Sequence, residues 1–377
     1  MRTSVSVQGS SLSFRLVPEV EDFRRIESLN FDLVHNVAHI QLGGIKPDTI
    51  HPDLIGLATI LICHPFVGGK LHLPMDVSPQ FMEMCESVTS RYHISSDTNA
   101  DIRPVSAPIR GRPGLAFSGG ADSTAALSVM PASTVPVFLN RPIREDSMYK
   151  SEAALKSCKD LREAGFEVFV VESDLEYIRD PVGFPTDIAN AIPAILLSQH
   201  IGLDSISFGT VMESAYGIGH EHFIDYPRGS HYRFYGTLLN AVGLQLSLPT
   251  AGMSEVGTAM INEQTPFGAF AQSCIRGSPG SPCLDCWKCF RKEFLGLALN
   301  PFSRESLVSL MWSNEVQQRL SAFPISHENV VTFAMQKIDL ESHGYLRHLR
   351  NRLDMSLELG LLRNWYSPSL ELIPEKY

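Results

Sequence analysis

Between residues 112 and 210 the sequence alternates between short apolar runs and helix-forming segments, which leaves few folds open. The apolar runs lie at 114–118, 135–140, 166–171 and 205–210, and the segments 121–130, 151–165 and 187–202 separate them. Apolar strands that are each followed by one helix are typical of a parallel sheet covered on both faces. The pattern therefore predicts an α/β fold with a parallel sheet and helices on both faces.

The rest of the chain divides around this segment. Residues 1–108 combine β-like runs with two helix-like or buried stretches, and a linker rich in Pro, Gly and Arg follows at 107–114. The tail reads as several helices. We therefore expect an N-terminal α+β module at 1–108 that contributes recognition, a central domain at 109–299 and a helical extension at 300–377. With 377 residues, 44% of them hydrophobic, the chain can bury a large core.

Charge and hydropathy narrow the class of partner. The formal net charge of −10 argues against a surface that coats nucleic acid or membranes. The longest apolar stretch is too short and too interrupted by Gly and Pro to span a bilayer, and the N-terminal residues lack a signal-peptide pattern. We expect a cytoplasmic protein that acts on a small molecule, with neither nucleic acid nor membrane as a partner.

The first candidate site is the segment AFSGGADSTAAL at 116–127, which joins the first apolar run to the first helix. Ligands of open α/β sheets bind at this edge, and glycines let backbone amides turn towards an anion at a helix N-terminus. Hydroxyl groups could donate to phosphate oxygens, and a carboxylate beside a phosphate suggests a bridging Mg²⁺. The alternative is an ordinary turn with Asp122 or Ser123 as a cap. The residues concerned are Ser118, Gly119, Gly120, Ala121, Asp122, Ser123 and Thr124.

The second candidate site is a group of four cysteines, Cys274, Cys283, Cys286 and Cys289. Two-residue gaps let neighbouring thiolates face one ion, and the Gly- and Pro-rich loop can bring back the fourth. Four thiolates suit tetrahedral Zn²⁺ in a closed, structural site. Thiolates alone do not distinguish zinc from an iron–sulfur cluster, so that alternative stays open.

Both segments carry a family resemblance over about residues 112–295. The loop resembles the PP-loop of ATP pyrophosphatases, and with the cysteine spacing the chain resembles the QueC family of 7-cyano-7-deazaguanine synthases. Segments 207–214, 223–234 and 248–260 resemble further stretches of that family. Two segments depart from it: 184–190 stands where the family has Pro-Gly-Arg-Asn, and Arg228 and Gly229 replace an Asp-Cys pair. The layout resembles the QueC-like proteins of bacterial phage-defence operons.

The resemblance implies an ATP-dependent carbon–nitrogen ligase with ATP, Mg²⁺ and Zn²⁺ as cofactors. Such an enzyme adenylates a carboxylate, here that of 7-carboxy-7-deazaguanine, releases pyrophosphate and passes the acyl group to an amine. The product is an amide or a nitrile, in queuosine biosynthesis or antiviral defence. One alternative acceptor is a protein amino group, and another function is a non-catalytic nucleotide-binding or scaffolding module. A homodimer is one possible assembly.

Residue roles follow from the same resemblance. Ser118, Asp122 and Ser123 are the expected catalytic residues, and the loop residues 118–124 with Asn140 are expected to bind ATP. Asn140 ends the second strand, where a strand-end cap is an equally good interpretation. Asp225, Tyr226 and Arg228 are expected to bind the substrate, although the same loop could be an irregular surface segment.

Overall fold

The computed structural model describes residues 1–145, 147–219, 224–300 and 306–377. The strands in these ranges are β1 Arg2–Gln8, β2 Ser11–Val17, β3 Arg25–Ile26, β4 Phe31–Leu33, β5 Val37–Gln41, β6 Lys70–His72, β7 His93–Ser95, β8 Arg112–Phe117, β9 Val135–Asn140, β10 Phe169–Ser173, β11 Arg179–Asp180, β12 Leu203–Ser207 and β13 Gln245–Ser247.

The α-helices are separated by short 3₁₀ turns. They are α1 Pro52–Cys63, α2 Pro79–Val88, α3 Ala121–Val129, α4 Glu152–Glu163, α5 Ile192–Ile201, α6 Met212–Tyr216, α7 Ser230–Asn240, α8 Glu255–Gln264, α9 Trp287–Leu299, α10 Ser306–Met311, α11 Asn314–Ser321, α12 Glu328–Lys337 and α13 Arg347–Arg350. Over the part of the chain that is described, no helix is long and apolar enough to cross a bilayer.

The predicted parallel sheet forms one half of a larger, ten-stranded sheet, with β13 at the edge. Strands β13, β12, β8, β9 and β10 are neighbours in that order, and every pair among them is parallel. Beyond β10 the sheet continues through β5, β2, β1, β6 and β7, with antiparallel pairs from β10 to β1 and parallel pairs from β1 to β7. The prediction of a parallel sheet is confirmed for these five neighbouring strands, whereas the whole sheet is mixed.

Helices pack on both faces of β8, as the sequence predicts. In β8, Leu115 and Phe117 pack with residues of α3 and α4, whereas Ala116 between them packs in the core that contains α5. This alternation follows from the two-residue period of a strand. Strand β8 is therefore buried on both sides and ends at a fixed position where the loop 118–120 begins.

The sheet crosses the predicted boundary at residue 108. Strand β5 pairs with β10 through Gln41 and Ile40 opposite Glu172 and Ser173. One hydrophobic core also joins residues from both sides, from Met1 to Leu372. The predicted domain limits remain a prediction about the sequence pattern, and the N-terminal strands extend the same sheet.

Candidate functional site

The loop after β8 has a geometry fixed by its glycines and serines. Gly119 has a φ of +72°, and a Cβ there would lie 3.0 Å from the Cα of Ala154, so the position suits glycine alone. The Ser118 and Ser123 hydroxyl oxygens are 3.0 Å apart, and the Ser123 hydroxyl accepts a hydrogen bond from the Ser118 amide at 3.3 Å. The two serines thus hold the turn in shape.

Helix α3 begins directly after this turn without a side-chain cap. Its N-cap residue is Gly120, which makes no capping hydrogen bond through a side chain. Asp122 and Ser123 lie inside the first turn, so neither is the cap that the alternative interpretation proposed. Because the amides of a helix N-terminus attract anions, the turn and α3 together form a suitable phosphate site.

A cavity of about 440 Å³ opens at the carboxyl ends of β8, β12 and β13, with this loop in its wall. Four of the loop residues predicted from sequence line it, and the predicted substrate residue Tyr226 lies in the same wall. The polar residues lining the cavity are Ser118, Asp122, Ser123, Asp187, Asn190, Thr210, Ser214, Tyr226, His231 and Lys288.

Positive charge from helix α9 surrounds Asp122. The Lys292 ammonium nitrogen lies 3.7 Å from a carboxylate oxygen of Asp122, which also accepts a hydrogen bond from the Thr258 hydroxyl at 3.1 Å. Burial opposes ionisation of this carboxyl, but Lys292 and Lys288 outweigh it and lower the pKa of Asp122. Asp122 is therefore a carboxylate at the cavity.

Lys292 also lies near a second carboxylate. Its nitrogen is 3.9 Å from Glu255 and is buried, and among the described residues it has no hydrogen-bond partner. Glu255 is bound by Arg291 and lies 3.4 Å from His327. The two carboxylates balance the charge of the ammonium group, but its hydrogen-bond donors are unused among the described residues. This makes Lys292 a candidate ligand for a phosphate at the loop.

Sequence reasoning missed Lys288 and Lys292. Both lie on α9, which begins directly after Cys286, and their spacing of four puts them on the same face of the helix. The cysteine spacing and this i, i+4 pair indicate a helix with two lysines on one face. That this face packs towards the loop after β8 depends on tertiary packing, which the sequence pattern does not show.

The four cysteines meet as the sequence predicts. Their sulfur atoms all lie within 4.8 Å of one another, and those of Cys283 and Cys289 are 3.8 Å apart. Four thiolates around one tetrahedral ion at ~2.3 Å would lie about 3.8 Å from each other. A four-iron cluster places iron and sulfide between its thiolates and needs wider spacing. The group therefore fits a single metal ion.

Helix α9 begins inside the cysteine group. Cys286 is its N-cap, with a sulfur that accepts a hydrogen bond from the Cys289 amide at 3.4 Å. The sulfur of Cys274 accepts one from the Cys283 amide at 3.3 Å. The metal-binding group thus sets where α9 starts, and α9 carries the two lysines to Asp122.

The remaining predicted residues, Asn140, Asp225 and Arg228, are not among the residues that line the cavity. Asp225 and Arg228 form a loose ion pair of 3.8 Å on the surface next to Tyr226, and the Arg228 side chain is 84% exposed. Asn140 ends β9, and its side-chain oxygen is buried without a hydrogen-bond partner among the described residues. Phe223, the first residue of the segment 223–234, lies outside the described residues. The roles of these residues stay predictions.

A smaller cavity of about 190 Å³ lies on the other side of Ser118, at the ends of β8 and β9. It is lined by apolar strand ends, by Tyr149 and by Arg141, which forms an ion pair with Glu176 at 2.5 Å. Asn190 borders both cavities. This residue belongs to the segment 184–190 that departs from the family resemblance, and sequence reasoning did not select it.

Comparison with known proteins gives few relatives. Residues 234–377 match a family of unknown function, DUF6395. No curated protein matches the chain. Among solved structures, the chain is similar to a U34-tRNA thiolase, NcsA from Methanococcus maripaludis, solved with its 4Fe-4S cluster. The identity is 14% and the TM-score 0.30, over 74% of this chain and 80% of that one.

Proposed function

We propose that the chain is an ATP-dependent enzyme that adenylates a carboxylate at the β8–α3 loop and releases pyrophosphate. The observation that carries this proposal is the position of the Lys292 ammonium, 3.7 Å from Asp122 at the start of α3 and without a hydrogen-bond partner among the described residues. A glycine turn, a helix N-terminus and a buried cation together favour a polyphosphate over a neutral ligand.

The phosphates of ATP would contact the N-terminus of α3 and the Ser118 and Ser123 hydroxyls, with Lys288 in the wall of the same cavity and Lys292 behind Asp122. Asp122 is ionised and lines the cavity, so it fits a ligand of Mg²⁺. When bound, Mg²⁺ would neutralise part of the charge on the β and γ phosphates. Asp122 would otherwise repel the phosphates, which is why its pairing with a cation matters.

In the reaction, an oxygen of the substrate carboxylate attacks the α phosphorus of ATP. The bond from this phosphorus to the bridging oxygen breaks, and its electron pair leaves with pyrophosphate. The chain's contribution is to hold the reactants in line and to stabilise the departing charge through the α3 amides and the two lysines. None of these groups needs to form a covalent bond.

The two cavities on either side of Ser118 suit the two halves of this reaction. The smaller one has apolar strand ends, which suit the adenosine end of a nucleotide, whereas the larger one has the polar walls that a second substrate needs. Asn190, between them, supplies an amide near the place where the family has its Arg–Asn pair. This favours an enzyme over a module that only binds nucleotides.

For the second substrate we propose 7-carboxy-7-deazaguanine, on the strength of the QueC resemblance and of Tyr226 in the wall of the larger cavity. The acyl group would pass to ammonia or to a protein amino group, as in queuosine biosynthesis or antiviral defence respectively. For the four-cysteine group we propose zinc, because the sulfur separations fit one tetrahedral ion.

Two substitutions test the proposal. Asp122→Asn keeps the shape of the side chain but removes its charge, and Lys292→Gln removes the buried cation. We expect each to lower pyrophosphate release with 7-carboxy-7-deazaguanine about 10²-fold, because a contact to departing charge is lost. Lys159→Gln, on the exposed face of α4, is the matched control and should leave the rate unchanged.

Calorimetric titration with MgATP and melting temperatures complete this test. Tight MgATP binding by the unsubstituted chain, weakened in Lys292→Gln, would support the site. Failure of the unsubstituted chain to bind MgATP would contradict the proposal. Full turnover of Asp122→Asn with a lowered melting temperature would mean that the loop is only a structural turn.

A further inference from the structure

Three side chains form a connected hydrogen-bonded row in the wall of the larger cavity. The Tyr226 hydroxyl lies 2.9 Å from Nδ1 of His231, and Nε2 of His231 lies 3.2 Å from a carboxylate oxygen of Asp187. All three line the cavity that also contains the loop. Asp187 comes from the segment 184–190, which departs from the family resemblance. Tyr226 comes from the loop before α7, and His231 comes from α7 itself.

The Asp187 carboxylate fixes which nitrogen of His231 carries the hydrogen and so the direction of both hydrogen bonds. A carboxylate only accepts hydrogen bonds, so Nε2 of His231 carries a hydrogen and donates it to Asp187. Nδ1 is then the acceptor, and the Tyr226 hydroxyl donates to it. The oxygen of Tyr226 keeps lone pairs that can accept a proton from another molecule in the cavity.

The surroundings keep this arrangement in its resting form. Burial, together with the nearby Asp187, raises the pKa of Tyr226, so the side chain is a phenol. The hydrogen bond from His231 lowers the pKa of Asp187, and the side chain is 85% exposed, so the carboxyl group stays ionised. At that exposure Asp187 acts mainly by orienting the imidazole, since water screens its charge.

The proposed function already assigns a role to the other ionisable groups that line the cavity. Asp122 and Lys288 lie together at the phosphate end, where the proposed function uses both. Among the described residues in this wall, Asp187, His231 and Tyr226 are the ionisable groups left for the second half of the reaction. That half needs a proton acceptor, because an amine that attacks an acyl adenylate must lose a proton.

We propose that the amine that captures the acyl adenylate loses its proton through the Tyr226 hydroxyl to His231, which is the base, with Asp187 as the positioning residue. This inference rests on the proposed function. The amine nitrogen forms a bond to the acyl carbon, and the bond from that carbon to the AMP oxygen breaks, with its electron pair leaving on AMP. The proton of the nitrogen moves to the Tyr226 oxygen, whose own proton moves to Nδ1 of His231. The imidazolium that results is paired with Asp187 and releases its proton to water.

The experiment measures the two halves of the reaction separately with MgATP and 7-carboxy-7-deazaguanine. ATP–pyrophosphate exchange reports adenylation, and amide formation with ammonium chloride reports capture. Tyr226→Phe keeps the ring that lines the substrate cavity, so we expect exchange at saturating 7-carboxy-7-deazaguanine to fall far less than amide formation. Amide formation should be lowered about 10²-fold, the usual contribution of general acid–base catalysis. Hydroxylamine attacks well without a strong base, so hydroxamate formation should stay near that of the unsubstituted chain.

Matched variants separate catalysis from packing. The Tyr232 ring is 5.6 Å from that of Tyr226 and does not line the cavity, so Tyr232→Phe should match the unsubstituted chain in every assay. His231→Gln cannot take up the proton and should show the same selective loss of ammonia-dependent amide formation. This variant keeps the inference testable if Tyr226→Phe proves unstable. Added imidazole should restore amide formation in His231→Ala.

The outcomes are distinct. Loss of ammonia-dependent amide formation alone, with hydroxamate formation kept, supports the inference. Equal losses with ammonia and hydroxylamine, or none at all, overturn it while the proposed function stands. An unsubstituted chain without ATP–pyrophosphate exchange overturns the proposed function and this inference with it.

Discussion

Glu213 is a buried glutamate whose ionisation the fold opposes. Its side chain is in α6 and has an exposed fraction of 1%. It accepts hydrogen bonds from the Glu255 amide at 3.1 Å and from the Asn329 side-chain amide at 2.9 Å. Burial, assisted by the negative charge of Glu255, outweighs these bonds and raises the pKa of Glu213 from 4.5 to about 7. The carboxyl group is therefore neutral in the fold at pH values where it is charged in the unfolded chain.

This raised pKa predicts a pH-dependent stability. Between pH 4.5 and about 7 the folded chain keeps a proton that the unfolded chain has released, so the free energy of unfolding falls as the pH rises. Glu213→Gln is neutral at every pH and can still bond Asn329, whose side-chain oxygen is unpaired among the described residues. We expect the variant to be more stable by up to about 3 kcal/mol above pH 7 and equal to the parent below pH 4.5.

Denaturant unfolding across this pH range measures the difference. Glu163→Gln is the control, because that glutamate is largely exposed on α4 and should shift stability little at any pH. A Glu213→Gln variant that is less stable than the parent at high pH would show that Glu213 is needed as a carboxylate.

Among the elements, helix α9 connects the metal-binding group to the phosphate end of the cavity. Cys286 caps the helix, Cys289 lies in its first turn, and Lys288 and Lys292 lie on one of its faces. The Trp287 backbone amide also donates to Glu315 at 3.0 Å, which ties the helix start to α11. The position of both lysines therefore depends on the order of the cysteine loop.

Removal of the metal should loosen the start of α9. We expect Cys286→Ser, or treatment with a chelator, to release one zinc per chain, lower the melting temperature and weaken MgATP binding. Structural zinc contributes about 10 kcal/mol or more in small zinc domains, so the effect should be large. Metal analysis and calorimetry measure both.

A cysteine elsewhere provides the control for this prediction. Cys158 is buried in α4, away from the four-cysteine group, so Cys158→Ala should keep the zinc and the MgATP affinity. Purified protein that contains iron, or that contains no metal and melts at the same temperature as the zinc-loaded chain, would contradict the zinc assignment.

Local sequence patterns predict the helices, strands and cysteine group of the site, but they do not predict how these elements pack against one another. The strand–turn–helix at 112–129 and the cysteine group follow from nearby residues, since strand period, glycine turns and ligand spacing act over short distances. The approach of Lys292 to Asp122 depends on which face of α9 packs inwards. The link between β5 and β10 joins residues far apart in the chain, such as His39 and Ser173, whose hydrogen bond spans 134 positions. No local pattern encodes such a pairing.

At the scale of the whole molecule, the ten-stranded sheet and the largest hydrophobic core join the N-terminal strands to the strands that carry the site. The backbone pairs between β5 and β10 are reinforced by the Asp174 carboxylate, which accepts from the His39 amide at 2.6 Å. On the neighbouring face, α1 packs against α5, and the Thr186 hydroxyl donates to the Leu61 carbonyl at 3.1 Å. These contacts would all be lost if residues 1–108 were removed.

We therefore expect the full chain to unfold in a single cooperative transition in scanning calorimetry. The fragment 109–377 would expose the edge of β10 and the apolar face of α5, and it should aggregate or form dimers through that edge. Size-exclusion chromatography measures this. A monomeric fragment with the melting temperature of the full chain would show instead that the N-terminal strands are an independent unit.

Gly209, between β12 and α6, has a consequence for how such a site can evolve. A Cβ there would lie 2.7 Å from the backbone of Asp122 and of Ser123, so any side chain would push the loop out of place. The end of β12 and the loop can therefore change only together. Among descendants of one ancestor, we therefore expect position 209 to remain glycine.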